Sequence, residues 1–212
     1  MSLRFNMKKF SYILLSLIMS MTILIGLLVL LSSSNTSYFF ILDKTSSFEE
    51  ANLEIKDYNK SVVALADYMA FKRDNIDVSV DGENIFKEQE VFHMFEVKNI
   101  FRVIRYLFVA LTIIVIVALY RLDRNRILRG QFYVTSIILV FLIISFVFFD
   151  KAFLLMHKIM FNNDYWLFTS EAYLTRILTG DFFLYFLGLL IFLYVSLSLL
   201  LYTLTRPWRK NA

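Results

Sequence analysis

The sequence predicts an all-α integral membrane protein: a bundle of four membrane-spanning helices with an extracellular cap formed by two outer segments. Three observations predict it. Of the 212 residues, 58% are hydrophobic, against roughly 45–50% in an ordinary soluble domain. The excess is gathered into four runs, each near the ~20 residues that cross a hydrocarbon core as helix. Basic residues cluster at the ends of these runs that an even-numbered topology places on one side of the membrane.

The spans fall at about 11–31, 101–120, 131–149 and 182–203 of a single membrane domain, 1–212. Backbone inside a bilayer must satisfy its own hydrogen bonds, so each run is a helix. A cleaved leader has an apolar core of roughly 7–15 residues and a small-x-small cleavage site. The first run is longer, and Ser32-Ser33-Ser34-Asn35 fits that site poorly, so a retained helix is expected.

Charge sets the orientation. The N-terminal tail carries Arg4, Lys8 and Lys9, the 121–130 loop carries Arg121, Arg124, Arg126 and Arg129 against Asp123, and the C-terminal tail carries Arg206, Arg209 and Lys210. These three regions are expected in the cytoplasm, with the arginine loop also touching anionic lipid. The acid-rich segment 33–100 and the shorter segment 150–181 then face outward from the cell membrane.

In the first outer segment, Ser47-Phe48-Glu49-Glu50 is a capping-box pattern. It predicts a helix through about Phe71, with Leu53, Tyr58, Val62, Leu65 and Met69 as its apolar stripe. The alternation from Asp77 to Asp81, closed by Asp81-Gly82, predicts a short strand and turn. Helix resumes near Phe86 and runs into the second span. In the second segment, Phe153 to Phe161 with Tyr165 and Trp166 reads as an interfacial or re-entrant element with an aromatic belt.

Several chemistries are excluded. The chain has no cysteine, which removes disulfides, thiolate metal sites and thiol nucleophiles. It has no GxSxG elbow, no HExxH spacing and no phosphate-binding glycine loop. No metal, cofactor or nucleic-acid partner is expected.

What remains is a pair of histidines, His93 and His157, the only two in the chain. Both fall just outside the spans on the outer side, where a near-neutral pKa suits proton transfer. On a helix, His93 and Glu96 share a face. Either the carboxylate orients the imidazole and raises its basicity, or the two form an ordinary helical ion pair. His157 lies between apolar neighbours. Either desolvation keeps it neutral and basic, or it is an interfacial ring among headgroups. Asp164 is a candidate orienting group for His157 if the chain turns at Asn162-Asn163. The two histidines are expected to converge.

These motifs resemble the bacterial lipoprotein intramolecular transacylases, four-span enzymes of Gram-positive membranes. The resemblance rests on His93-x-x-Glu96-Val97-Lys98 before the second span, His157-x-x-x-Phe161 followed by Trp166, and Leu178-Thr179-Gly180-Asp181-Phe182-Phe183 before the fourth. The family usually has Asp in place of Glu96, Pro in place of Thr179 and Phe in place of Met156. The first departure keeps the carboxylate on a longer stem, and the second loosens the start of the fourth helix.

The resemblance implies a substrate and a reaction. The substrate is a diacylglyceryl-modified lipoprotein, and its sn-2 acyl chain moves to the α-amino group of the N-terminal cysteine to give the lyso form. Donor and acceptor share one molecule, so no acyl-enzyme is needed. His157 is the expected base, and His93, oriented by Glu96, assists as acid or second base. Lys98, Asn162 and Trp166 are candidates for stabilising the oxyanion or holding the substrate. The expected partners are lipoproteins and membrane lipids, and the expected state is a monomer. Two rival readings are an intermolecular lipid acyltransferase or hydrolase, which would release fatty acid or use a separate donor, and a non-enzymatic membrane sensor or accessory protein, which would work without either histidine.

Overall fold

The computed structural model describes residues 2–205, with side chains from Lys9 onward. The basic side chains expected of Arg4, Lys8, Arg206, Arg209 and Lys210 lie outside the described residues. No proline precedes Pro207, so no helix is interrupted by a missing donor. The order is α1 (Ser2–Ser32), α2 (Asn35–Leu42), α3 (Ser47–Ala51), α4 (Ile55–Met69), β1 (Ser79–Val80), β2 (Glu83–Asn84), α5 (Glu88–Arg121), α6 (Arg124–Val147), α7 (Phe149–Met160), α8 (Tyr173–Ile177) and α9 (Gly180–Thr203).

Among the described residues, four helices are long and apolar enough to cross a membrane: residues Lys9–Ser32 of α1, and all of α5, α6 and α9. At ~1.5 Å per residue α5 is about 50 Å long, well beyond a hydrocarbon core of about 30 Å. Its first turns carry Glu88, Glu90, Glu96 and Lys98 together with His93, and the long apolar run follows from Phe101 onward. Between apolar helices in lipid there is little hydrophobic drive to associate, and polar contacts and close packing fix the bundle. Ser20 of α1 bonds Thr135 of α6 at 2.8 Å and Tyr194 of α9 at 2.6 Å. Gln131 donates to Thr135 at 2.7 Å and to Ser198 at 2.8 Å. These groups are buried, and they knit α1, α6 and α9 at one rotational setting. Where α1 passes α5 and α6, glycine permits the approach. A Cβ on Gly26 would lie 2.7 Å from the Phe108 ring, and one on Gly130 would lie 2.2 Å from Ser16 Oγ.

At one end of the bundle, Arg126 lies over the Tyr12 ring and Arg129 donates to the Thr205 carbonyl. At the other end, the residues between α1 and α5 and those between α7 and α9 share one hydrophobic core. It joins Ile41, Tyr58, Val62 and Leu65 to Ile76, Val78, Met94, Ile177 and Phe182. Buried Glu90, 1% exposed, ties this core to α5. It accepts from Lys87 N at 2.8 Å, closing the start of α5, and from Leu174 N at 2.6 Å, where α8 begins.

The helix expected from Ser47 to about Phe71 is two helices. Asn52 adopts φ 50°, left-handed, and ends α3. Asparagine tolerates that conformation because its short polar side chain bonds locally. The short strand and turn expected near Asp77 form a two-residue antiparallel ladder, Ser79 with Asn84 and Val80 with Glu83. Asp81 and Gly82 at its tip both have positive φ, as a two-residue hairpin requires.

Candidate active site

Two helices position the histidines. His93 sits in the second turn of α5. His157 sits in the last turn of α7, which follows α6 after the single residue Phe148. Helix α7 buries Phe149, Ala152, Phe153 and His157 to different degrees on one face and exposes Leu155 and Ile159 on the other. This is the spacing of an amphipathic helix.

The imidazoles stack with ring centroids 6.0 Å apart and planes 26° from parallel. Aromatic rings enclose them. Phe161 lies 4.9 Å from His93 and 5.7 Å from His157. Phe168 packs 5.4 Å from His93. Phe153 and Trp166 lie 4.2 Å and 5.1 Å from His157. Removal from water disfavours the charged ring. Burial, helped by the proximity of His157, lowers His93 to about 4. Burial also lowers His157, opposed by its hydrogen bond to a backbone carbonyl.

That hydrogen bond fixes a tautomer. His157 Nδ1 lies 2.8 Å from the Phe153 carbonyl oxygen. A carbonyl only accepts, so Nδ1 carries the proton and Nε2 of the neutral ring keeps a lone pair. His93 Nδ1 is buried and makes no hydrogen bond.

The remaining sequence candidates divide. Glu96 does not bond His93. Its Oε1 accepts from Asn163 Nδ2 at 2.7 Å, and its Oε2 is buried without a partner. The orienting contact expected between Glu96 and His93 is therefore replaced by one between Glu96 and Asn163, because the loop after α7 brings an amide within reach. Asn162 and Asp164 are exposed, and His157 takes its orienting partner from its own helix rather than from Asp164. Trp166 belongs to the aromatic wall, but its Nε1 donates to the Asn163 carbonyl at 2.8 Å and is not offered to a substrate oxygen. Lys98 points elsewhere: it donates to the Arg73 carbonyl and lies 4.0 Å from the Tyr68 ring centroid. It ties the end of α4 to α5 rather than joining the histidines.

Asn163 is the residue that sequence reasoning missed. Its Nδ2 reaches Glu96, its Oδ1 accepts from Tyr165 N at 3.0 Å, and its carbonyl holds Trp166. The turn signal Asn162-Asn163-Asp164 marked the loop but not which member faces inward. Among the described residues, no group of three or more His, Asp or Glu side chains is placed to hold a metal ion. The arrangement suits proton transfer: an imidazole with its Nδ1 committed to a carbonyl, a second buried imidazole, and a Glu96 side chain with one unpartnered oxygen.

Comparison with known proteins agrees in fold and family. Residues 12–183 match the family model described as lipoprotein intramolecular transacylase Lit. The chain is similar to the solved in meso structure of the membrane integral lipoprotein intramolecular transacylase Lit from Bacillus cereus. The TM-score is 0.73 at 22% identity, over 92% of this chain and 94% of that one. A form of the same Bacillus cereus protein with a histidine-to-alanine mutation gives 0.73 at 21% identity, over 96% of each chain. A histidine-to-arginine form gives 0.73 at 22% identity, over 96% of this chain and 94% of that one. No curated protein sequence matches the chain.

Proposed function

The chain belongs to the lipoprotein intramolecular transacylase family, and from that membership we propose the reaction it performs. It moves the sn-2 acyl chain of a diacylglyceryl-modified lipoprotein to the α-amino group of the N-terminal cysteine, giving the N-acyl, S-monoacylglyceryl form. The observation that carries this reading is the stacked pair of buried imidazoles, one with its Nδ1 committed to the Phe153 carbonyl.

In this reading His157 Nε2 takes a proton from the attacking amine as its nitrogen bonds to the ester carbonyl carbon. The bond from that carbon to the glyceryl oxygen breaks, and the imidazolium of His157 returns the proton to the departing oxygen. One amide bond replaces one ester bond. The proton lost by the attacking neutral amine equals the one gained by the alcohol, so no water is consumed and no acyl-enzyme forms. His93, held near 4, is a weak base. It suits a neutral N–H donor to the carbonyl oxygen as negative charge gathers there. Amine and ester belong to one molecule, so folding the substrate supplies the large effective concentration of an intramolecular reaction.

The setting supports the same reading. Leu155 and Ile159 on the exposed face of α7 suit acyl chains at the membrane interface, with His157 on the opposite face. The arginines at 121, 124, 126 and 129 favour the cytoplasm for the far end of the bundle. The histidines and the shared core around them then form an extracellular cap, working on lipoproteins in the outer leaflet.

The test is mass spectrometry of a reporter lipoprotein's N-terminal lipopeptide, from a host that leaves diacylglyceryl-cysteine with a free amine. Wild type should give a peptide of unchanged total mass whose fragments show the acyl group on nitrogen. His157→Ala and His93→Ala should leave the diacyl form. A well-expressed wild type that leaves the diacyl form, or a His157→Ala variant with full conversion, would refute the proposal.

A further inference from the structure

Glu96 and His93 lie three residues apart on α5 and share a face. The two Glu96 oxygens have different surroundings. Oε1 accepts the Asn163 amide at 2.7 Å, whereas Oε2 is buried and unpartnered, as is His93 Nδ1. A carboxylate oxygen only accepts, and a buried one is stabilised most by a charged donor. The chain's own cations do not serve it. Neither the ion pair of Lys44 with Asp43 nor that of Lys72 with Asp67 involves Glu96.

Asn163 makes this arrangement. It occupies one Glu96 oxygen with its side chain, and with its backbone carbonyl it holds Trp166, whose ring lies 5.1 Å from that of His157. A single loop residue thus fixes the carboxylate on the His93 side and the aromatic wall on the His157 side.

We propose that Glu96 Oε2 is the docking point for a primary ammonium, that of the substrate's N-terminal cysteine, and that Asn163 is the positioning residue that holds Glu96 for it. The assignment rests on the transacylase reading. It adds a specificity that the histidines alone do not provide. Before transfer the nitrogen is a cation and is held by the carboxylate. It sheds one proton to solvent before attack, and after transfer it is a neutral amide with no charge to offer. The same contact therefore selects the unacylated lipoprotein and releases the product.

The experiment uses the full chain in lipid nanodiscs and two synthetic lipopeptides that cannot transfer an acyl group, because the sn-2 chain is ether-linked. One carries the cysteine amine, and its desamino counterpart lacks it. Wild type should bind the amine probe about tenfold or more tightly, the scale of a charge-assisted hydrogen bond. Glu96→Gln keeps an acceptor for Asn163 and should abolish that preference while leaving the desamino affinity unchanged. Glu96→Asp should restore most of it. Asn163→Ala should shrink the preference without weakening the desamino probe. A wild type with no preference, or a Glu96→Gln variant that keeps it, overturns the ammonium site. Equal weakening of both probes in Asn163→Ala overturns the positioning role. Acyl transfer is measured separately on the ester-linked lipopeptide. Preference without transfer would leave the ammonium site standing and remove the transacylase reading, and transfer without preference would do the reverse.

Discussion

The chain has two histidines, so ring-15N labelling yields two sets of signals, and His93→Gln or His157→Gln assigns them by removing one. Burial lowers His93 from 6.5 to about 4, a difference that at about 1.36 kcal/mol per unit amounts to about 3 kcal/mol against the imidazolium. Between those two values the unfolded chain binds more protons than the folded one. The stability contributed by neutral His93 is therefore complete above pH 6.5 and is lost as the pH falls toward 4. His157 is lowered in the same direction, and protonating one ring makes protonating its 6.0 Å neighbour harder. In micelles at pH 6.5 His93 should be neutral, and the neutral form of His157 should carry its proton at Nδ1 with the lone pair on Nε2. Phe161→Ala removes a ring 4.9 Å from His93, admits water, and should move the His93 midpoint up toward its ordinary value. A His93 that is half-protonated at pH 6.5, or a His157 with its proton on Nε2, would refute the account of the aromatic box and of the fixed tautomer.

Two further substitutions separate packing from chemistry. Lys98→Met removes the hydrogen bond to the Arg73 carbonyl and the cation over Tyr68. It should cost about 2 kcal/mol in the anchoring of α4, seen as faster amide exchange there, while conversion per folded molecule is kept. A hundredfold loss of conversion with normal exchange would return Lys98 to the site. Gly130→Ala places a Cβ 2.2 Å from Ser16 Oγ and 3.0 Å from Ser16 Cβ. Overpacking of this kind costs about 1–3 kcal/mol. A lowered midpoint in detergent denaturation should follow, and Ser16→Gly in the same chain should recover it.

The membrane architecture was legible because its signal is long: twenty apolar residues leave few alternatives. The histidines were legible by scarcity. The details that failed were short. Lys98 follows His93 by five residues, about 140° around the helix at 3.6 residues per turn, so periodicity already argued against one shared site. Asn162 and Asn163 are identical in chemistry, and only the path of the loop makes one exposed and the other the partner of Glu96. Glu90 closes the start of α5 with Lys87 at the N-cap position, a residue that does not announce a helix start. The break at Asn52 interrupts a capping-box pattern that read as one continuous helix.

The hydrogen bond from His157 to Phe153 spans four residues of one helix, and this bears on the order in which the protein acquires its chemistry. Nothing from α5, the 33–100 segment or Glu96 takes part in it. Once a single turn of α7 is wound, the ring is aimed by its own backbone with Nδ1 on the Phe153 carbonyl, before the second imidazole or the carboxylate arrives; the burial that disfavours its charge comes only with the surrounding rings. A nascent or partly loosened chain therefore holds a correctly oriented imidazole that lacks its surroundings. Damage to the distant segment should then show as lost substrate alignment, with the proton still where that one helical turn put it.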